Sequence, residues 1–254
     1  MRSLLLLLAS IAVSTAEPLP LRVGMELSYP PFETIGPDGE PTGISVELAQ
    51  GLAGRLGRPL VIENISFPGL IPALKSGKID IIISSMTSTP ERAKAVAFSE
   101  PYLTAGLAAL VPASSTAQGF VDLDQADRTI VVLQGTTGEV FARAKVHKAR
   151  VITLDKQSAC VLEVTQGKAD AFIYDQMSVY QNAKRNPQTT RAMLNPLQME
   201  SWAIALRQGD EEMRTQVNQF LTEFRAGGGF DRLAEKYLTE EKSAFAEQGI
   251  PFFF

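Results

Sequence analysis

Cysteine and histidine are almost absent from this sequence, with one of each among 254 residues. Cys160 has no second cysteine in the chain to pair with, which excludes a disulfide-stapled scaffold. His147 is the sole histidine, so zinc sites built from cysteine and histidine clusters are excluded as well. Because that histidine lies in a charged run with no supporting motif, neither Ser-His-Asp nor Cys-His catalysis is indicated.

Positive charge is also in short supply, since 24 Lys and Arg face 28 Asp and Glu for a formal net charge of −4. A nucleic-acid binder needs a basic face, so this class is excluded. No stretch after residue 16 approaches the ~18 consecutive apolar residues of a membrane span. The 45% of hydrophobic residues excludes a disordered chain, and the length suits one large domain or two lobes.

The first sixteen residues have the three parts of a secretory signal. Arg2 precedes an apolar run from Leu4 to Val13, and Ser14-Thr15-Ala16 supplies small residues for cleavage. A run of about ten residues is too short for a bilayer of roughly 30 Å at about 1.5 Å per residue. We expect residues 1–16 to be removed and the mature chain to be exported to the periplasm; the alternative is a buried N-terminal helix.

Short apolar strands alternate with helical patterns along the rest of the chain, which predicts an α/β fold. Predicted strands cover 21–25, 60–62, 79–83, 129–133, 151–154 and 171–174. Predicted helices cover 45–55, 70–75, 138–145, 158–165, 176–185, 210–225 and 230–237. Ser45 is expected to cap the first helix, and the segment 186–199 is expected to be a loop. Two βα units of similar size predict two lobes with a cleft between them.

A polar loop follows the third predicted strand and contains Ser84, Ser85 and Thr87. Farther along it, Thr89 can cap a helix with Pro90 at its first position, which places Arg92 beside unpaired backbone N–H groups. An arginine there, with hydroxyls near it, indicates a carboxylate or phosphate site. The alternative is a solvated arginine after a capped turn.

Two more strand ends carry polar residues, where ligands bind in α/β sheets. The run Gln134-Gly135-Thr136-Thr137-Gly138 opens a helix but lacks the spacing and lysine of a phosphate-binding loop. Asp175 ends an apolar strand, where it can bind a cation or cap the next helix. Tyr29 and Phe67 lie in loops beside prolines and can form an apolar floor for a ligand or simply pack.

Together these runs resemble the periplasmic amino-acid-binding proteins of ABC transporters, the solute-binding family that includes the histidine and lysine/arginine/ornithine receptors. In chain order the matching runs are Tyr29-Pro30-Pro31-Phe32-Glu33, Gly69-Leu70-Ile71-Pro72-Ala73-Leu74, Gly77-Lys78-Ile79-Asp80, Ser84-Ser85-Met86-Thr87, Thr89-Pro90-Glu91-Arg92, Phe98-Ser99-Glu100-Pro101-Tyr102, Gln134-Gly135-Thr136-Thr137, Gly167-Lys168-Ala169-Asp170, Asp175 and Leu233-Ala234-Glu235-Lys236-Tyr237. They extend over the whole mature chain.

The resemblance implies a set of residues for the carboxylate of an amino acid. Arg92 would grip the α-carboxylate bidentately. Ser85, the Thr87 backbone N–H and Thr137 would assist it, and Thr136 would line the same site.

It also implies residues for the rest of the ligand. Asp175 would pair with the α-ammonium, and Ser84 would accept a hydrogen bond from it. Tyr29 and Phe67 would sandwich the side chain. Glu26 lies where some relatives place an acid facing a basic side chain, so a basic or polar amino acid is favoured.

The implied fold is a two-lobed periplasmic binding protein (type II) with a hinge of two crossing strands near Thr104 and Glu200. After the signal peptide (1–16), lobe 1 would comprise 17–104, lobe 2 would comprise 105–199, and 200–254 would return to lobe 1. The implied function is to close on a free L-amino acid and deliver it to an ABC transporter membrane permease. A monomer without metal, cofactor or catalysis is expected.

Two other functions remain open at this point. One is an enzyme resembling the exported cyclohexadienyl dehydratases, which act on arogenate or prephenate. Those enzymes have a carboxylic acid three residues after the position of Asp175, and Ser178 stands there in this chain. The other is a soluble sensor that signals to a membrane kinase.

Overall fold

Two five-stranded sheets flanked by helices form the two lobes of the protein in a computed structural model, which describes residues 18–250. The predicted signal peptide, residues 1–16, lies outside the described residues. The elements up to the first crossing are β1 Leu21–Met25, β2 Ser28–Tyr29, β3 Glu33–Ile35, β4 Pro41–Thr42, α1 Ile44–Leu56, β5 Leu60–Asn64, α2 Phe67–Lys75, β6 Ile81–Ile82, α3 Pro90–Ala93 and β7 Ala97–Phe98.

The chain continues through the second sheet and then returns to the first. The second-sheet elements are β8 Leu103–Pro112, α4 Phe120–Leu123, β9 Thr129–Leu133, α5 Thr137–Lys145, β10 Arg150–Leu154, α6 Gln157–Thr165, β11 Ala171–Asp175, α7 Gln176–Arg185 and β12 Thr190–Trp202. The last elements are β13 Ala205–Leu206, α8 Glu211–Ala226, α9 Gly229–Tyr237 and α10 Thr239–Glu247.

The two sheets have the same mixed character. Lobe 1 contains the sheet β5-β1-β6-β13-β7, in which β5, β1 and β6 are parallel and β13 is antiparallel to both of its neighbours. Lobe 2 contains β10-β9-β11-β8-β12, in which β10, β9 and β11 are parallel and β8 is antiparallel to both of its neighbours. Strand β9 is apolar and almost fully buried, as expected for a parallel strand covered on both faces. The α/β class predicted from the alternating pattern is confirmed.

Strands β8 and β12 form the crossing between the lobes. They pair antiparallel, with Leu103 opposite Trp202 and Ala105 opposite Glu200. From there β8 runs into the lobe 2 sheet between β11 and β12, while β12 leads into β13 of lobe 1. The crossing therefore lies near Thr104 and Glu200, where the resemblance places the hinge. The exact lobe boundaries at 104 and 199 stay predictions.

Helix α1 shows where local sequence rules succeeded and where they failed. Its predicted apolar face is buried, and Gly57 ends it in the left-handed conformation with φ 62°. The prediction that Ser45 caps this helix was wrong, because the helix begins at Ile44 and Ser45 lies inside it, fully buried. Gly43 precedes the helix with φ 122°, and a Cβ there would lie 2.4 Å from the carbonyl oxygen of Phe32.

The prediction of a loop over 186–199 was also wrong, because most of that segment belongs to β12. Its sequence contains Asn195-Pro196, which breaks a simple strand pattern. Pairing with β8 overrides this local signal, and the register shift between Met193 and Gln198 accommodates the two residues as an irregularity in the ladder. Tertiary pairing, rather than strand propensity, determines this element.

Candidate ligand-binding site

A cavity that is partly open to solvent lies between the two lobes. All ten residues singled out from the sequence line it, namely Glu26, Tyr29, Phe67, Ser84, Ser85, Thr87, Arg92, Thr136, Thr137 and Asp175. Five further residues complete the wall, and these are Glu33, Leu107, Tyr174, Glu200 and Trp202. The fold therefore gathers the polar ends of several strands at one place, as the doubly wound topology requires.

Arg92 is positioned by the short helix α3, much as the sequence predicts. Thr89 accepts a hydrogen bond from the Arg92 N–H at 3.1 Å, and Pro90 is the first helical residue. The guanidinium donates to the carbonyl oxygens of Thr87 at 2.8 Å and Gly135 at 3.0 Å, so it links the two lobes. Burial lowers the pKa of Arg92.

The charge of Arg92 has no direct counterion. Among residues 18–250 it forms no ion pair with an aspartate or glutamate, although Glu200 is close enough to attract it. The ring of Phe67 covers the guanidinium carbon, with 5.2 Å to the ring centre. Guanidinium has five N–H donors, and two of its bonds go to carbonyls. Arg92 lines the cavity, so its charge can attract an anion there.

The serine pair after β6 is held from behind by a buried glutamate that the sequence reasoning did not assign to the site. Glu33 is 1% exposed. It accepts hydrogen bonds from Ser45 at 2.6 Å, from Ser85 at 3.1 Å and from Ser84 at 3.2 Å. Burial raises the pKa of Glu33 to about 8 in spite of these bonds. This carboxyl is therefore largely protonated at neutral pH, and its hydrogen bonds hold the two serine side chains in place.

Asp175 lies at the start of α7 and on the wall of the cavity. Its side chain caps α7 by accepting from the Ser178 N–H at 2.9 Å, and it also lines the cavity. Burial raises the pKa of Asp175 to about 6, while the Ser178 N–H acts in the opposite direction. The group is thus mostly ionised at neutral pH, and it has no ion-pair partner among the described residues. A buried carboxylate of this kind is a suitable partner for an ammonium group.

Two more acids face the same space. Burial raises the pKa of Glu26, whose backbone N–H donates to Ser84 Oγ at 3.0 Å. Glu200 accepts hydrogen bonds from the hydroxyls of Thr87 and Thr137 at 2.9 and 2.8 Å. With Asp175 these acids outnumber Arg92 on the wall of the cavity.

Aromatic rings form the apolar part of the wall. Tyr29 stacks on Phe32 with ring centres 5.5 Å apart, and it meets Tyr174 and Trp202 edge-on at 6.1 Å. Tyr174 directly precedes Asp175, a predicted site residue, so the sequence could have placed Tyr174 at the site. The resemblance placed Glu200 at the hinge, but neither Glu200 nor Trp202 was assigned to the site.

The residues set aside in the sequence lie elsewhere. His147 is exposed, and Cys160 is buried in the core with its pKa raised to about 12 by that burial. Within 18–250 no three His, Cys, Asp or Glu side chains are placed to hold a metal ion. In the same part of the chain no helix is both long and apolar enough to cross a membrane.

Comparison with known families gives a match over nearly the whole described chain. Residues 21–240 match the model of the bacterial extracellular solute-binding proteins, family 3. The chain belongs to this family. The resemblance seen in the sequence is therefore confirmed.

Individual relatives agree with this assignment. The L-cystine-binding protein TcyJ of Escherichia coli (strain K12) is 31% identical over 217 residues, which cover 85% of this chain and 82% of that protein. A putative ABC transporter binding component from Wolinella succinogenes DSM 1740, solved in complex with lysine, has a TM-score of 0.82 at 34% identity and covers 88% and 97% of the two chains. An ancestral amino acid-binding protein described as a precursor of cyclohexadienyl dehydratase has a TM-score of 0.80 at 36% identity, covering 87% and 95%.

Proposed function

We propose that this protein captures a free L-amino acid between its two lobes and delivers it to the membrane permease of an ABC transporter. The observation that carries this proposal is the pair of unneutralised charges in one cavity. Arg92 and Asp175 line the same space, both are largely withdrawn from water, and neither has an ion-pair partner among the described residues. The α-carboxylate and α-ammonium of an amino acid would complement them.

The remaining wall supports the same ligand. Ser84 and Ser85 are hydrogen-bonded to Glu33, and their side chains line the cavity beside Asp175. The rings of Tyr29 and Phe67 offer apolar faces to a side chain.

Closure of the lobes is the mechanism we propose for capture. A ligand that contacts both lobes favours the closed form by its differential affinity for that form. Arg92 and Ser84 belong to lobe 1, whereas Thr137 and Asp175 belong to lobe 2, so full pairing of a zwitterion requires both. Closure also removes water, which strengthens each charge pair. No covalent step is needed.

The family and the predicted signal peptide support delivery to a permease and a periplasmic location. The family is described as extracellular, and the solved relative from Wolinella succinogenes is described as an ABC transporter binding component. The protein is expected to act as a monomer.

The test is calorimetric titration with each of the twenty amino acids. The protein is first unfolded, dialysed and refolded, so that bound material from the expression host is removed. We expect one amino acid or a small chemically related group to bind with a Kd in the micromolar range or below, which corresponds to about −8 kcal/mol or more favourable. Refolded, monodisperse protein that binds none of the twenty would contradict the proposal.

A basic side chain is the preference we propose, because Glu26 lines the cavity together with two more acids, Asp175 and Glu200. Glu26→Gln is expected to weaken binding of lysine and arginine about tenfold, while binding of glutamine changes by less than about twofold. The surface change Glu40→Gln is the control, since Glu40 is exposed outside the cavity. A screen in which leucine or glutamate binds best would exclude this preference and leave the general function intact.

A dehydratase is the second candidate, since one similar solved structure is described as a precursor of such an enzyme. Ser178 opposes it, because a serine hydroxyl does not act as a general acid near neutral pH. Its Oγ also accepts from Gln157 Nε2 at 2.5 Å and does not line the cavity. We expect no aromatic product when the protein is incubated with prephenate or arogenate, and formation of such a product above a buffer blank would favour the enzyme.

A further inference from the structure

Glu200 occupies an unusual place for a carboxylate. It lies on β12 at the crossing between the lobes and is 7% exposed. A single oxygen, Oε2, accepts the hydroxyl hydrogens of Thr87 at 2.9 Å and Thr137 at 2.8 Å, and Gln198 donates to the other oxygen at 3.1 Å. Thr87 belongs to the loop after β6 in lobe 1, and Thr137 opens α5 in lobe 2. One side chain thus joins hydroxyls from both sides of the cleft.

The surroundings of Glu200 are those that suit the carboxylate of an amino acid. Thr87, Thr137 and Arg92 all line the cavity, and the charge of Glu200 acts on Arg92 strongly enough to oppose the effect of burial on the Arg92 pKa. The Arg92 guanidinium donates to the carbonyls of Thr87 and Gly135. Thr87 also donates to Glu200, and Gly135 lies two residues before Thr137, the other hydroxyl donor to Glu200.

We propose that Glu200 is an internal competitor of the ligand carboxylate and thereby a specificity-determining residue; this inference rests on the proposed function. A ligand carboxylate near Arg92 meets two hydroxyls that already donate to Glu200, and it also meets a like charge. Each hydroxyl has a single hydrogen, so it cannot fully serve both carboxylates. The ligand carboxylate therefore contributes less affinity in this cavity than it would without Glu200.

A consequence is relaxed discrimination against amines that lack a carboxylate. Such a cation leaves the bonds from Thr87 and Thr137 to Glu200 intact and still finds Glu26 and Asp175 on the wall. The affinity of an amino acid relative to its decarboxylated amine is thus the quantity that Glu200 controls.

The test compares L-lysine with cadaverine, which differ only in the α-carboxylate, on the full mature protein and on Glu200→Gln. The glutamine oxygen can still accept from both threonines, so the variant removes the charge and retains the shape. We expect the ratio of lysine affinity to cadaverine affinity to rise at least about tenfold in Glu200→Gln. The ratio is used because any change in lobe closure, or in attraction for cations, affects both probes alike.

Glu241→Gln is the matched control, because Glu241 is equally buried, accepts from Gln181 and does not line the cavity. Its ratio is expected to equal that of the unmodified protein, and equal thermal unfolding midpoints would establish that all three proteins are folded. A ratio that is unchanged or lower in Glu200→Gln overturns the inference, as does a failure of lysine to bind both proteins. If none of the twenty amino acids binds either protein, the proposed function falls with it; if another amino acid binds, only this inference falls.

Discussion

Arg92→Ala is expected to lower the affinity for the best amino acid by about 2–5 kcal/mol, which is roughly a thirtyfold to several-thousandfold weaker Kd. The reason is the arrangement around the guanidinium. It is covered by Phe67, bound to two carbonyls and free of any carboxylate partner among the described residues. A ligand carboxylate that pairs with it in a water-poor cavity gains far more than it would at the surface. Removal of the side chain leaves that carboxylate buried and unpaired.

Two further variants make this experiment specific. Arg92→Lys keeps the charge and loses the fork of donors, so an intermediate loss of affinity is expected. Arg232→Ala is the control, because Arg232 is exposed and its guanidinium also donates to a backbone carbonyl, that of Gly227. Isothermal titration of the three variants is the measurement. An Arg92→Ala protein that binds within about threefold of the unmodified protein would refute the role given to this residue.

Glu33→Gln is expected to change how stability depends on pH, by on the order of 5 kcal/mol across the titration range. The pKa of Glu33 is raised from 4.5 to about 8 in the folded protein, chiefly by burial. Between these values the unfolded chain releases the proton and the folded protein keeps it. The stabilisation is therefore fully present below pH 4.5 and is lost as pH rises to about 8, at up to about 1.4 kcal/mol per pH unit.

Glutamine is close in shape to a protonated glutamate and does not titrate. The free energy of unfolding of Glu33→Gln, minus that of the unmodified protein, should accordingly increase from pH 5 to pH 8.5. Urea denaturation followed by circular dichroism at several pH values gives both quantities, and Glu40→Gln serves as a surface control for the same exchange. A difference that stays constant over this range would mean that Glu33 titrates normally in the folded protein.

Much of the fold was accessible from the sequence because its signals are local and repeated. Strand β9 is a run of β-branched and apolar residues, and the turn at Gly57 follows directly from the end of a periodic helix. The position of Arg92 could be predicted for the same reason, since Thr89 and Pro90 are typical of a helix start. Such features depend on neighbours within a few positions of each other.

The missed features depend on partners far away in the chain. Glu33 contacts Ser84 and Ser85 across more than fifty positions, so no local pattern reveals that it supports the serine pair. Serine is a common helix cap, but the Ser45 hydroxyl donates a hydrogen bond to the buried carboxyl of Glu33 instead. Glu200 reaches the cavity only because β12 pairs with β8 through a segment that resembles a loop. Long-range pairing therefore supplied the part of the site that residue types alone left out.

The return of the chain to its first sheet determines the order in which the two lobes can be completed. Strand β7 pairs with β13, and β13 also covers the edge of β6. The lobe 1 sheet therefore cannot be completed before residues 205–206 are made. All five strands of the lobe 2 sheet, in contrast, come from one uninterrupted stretch of the chain, from β8 to β12. During synthesis from the N-terminus, lobe 2 has its full set of strands first, and the earlier-made lobe 1 remains with open edges until the last fifth of the chain emerges. Because such distant pairings form slowly, we expect assembly of lobe 1 to limit the overall folding rate.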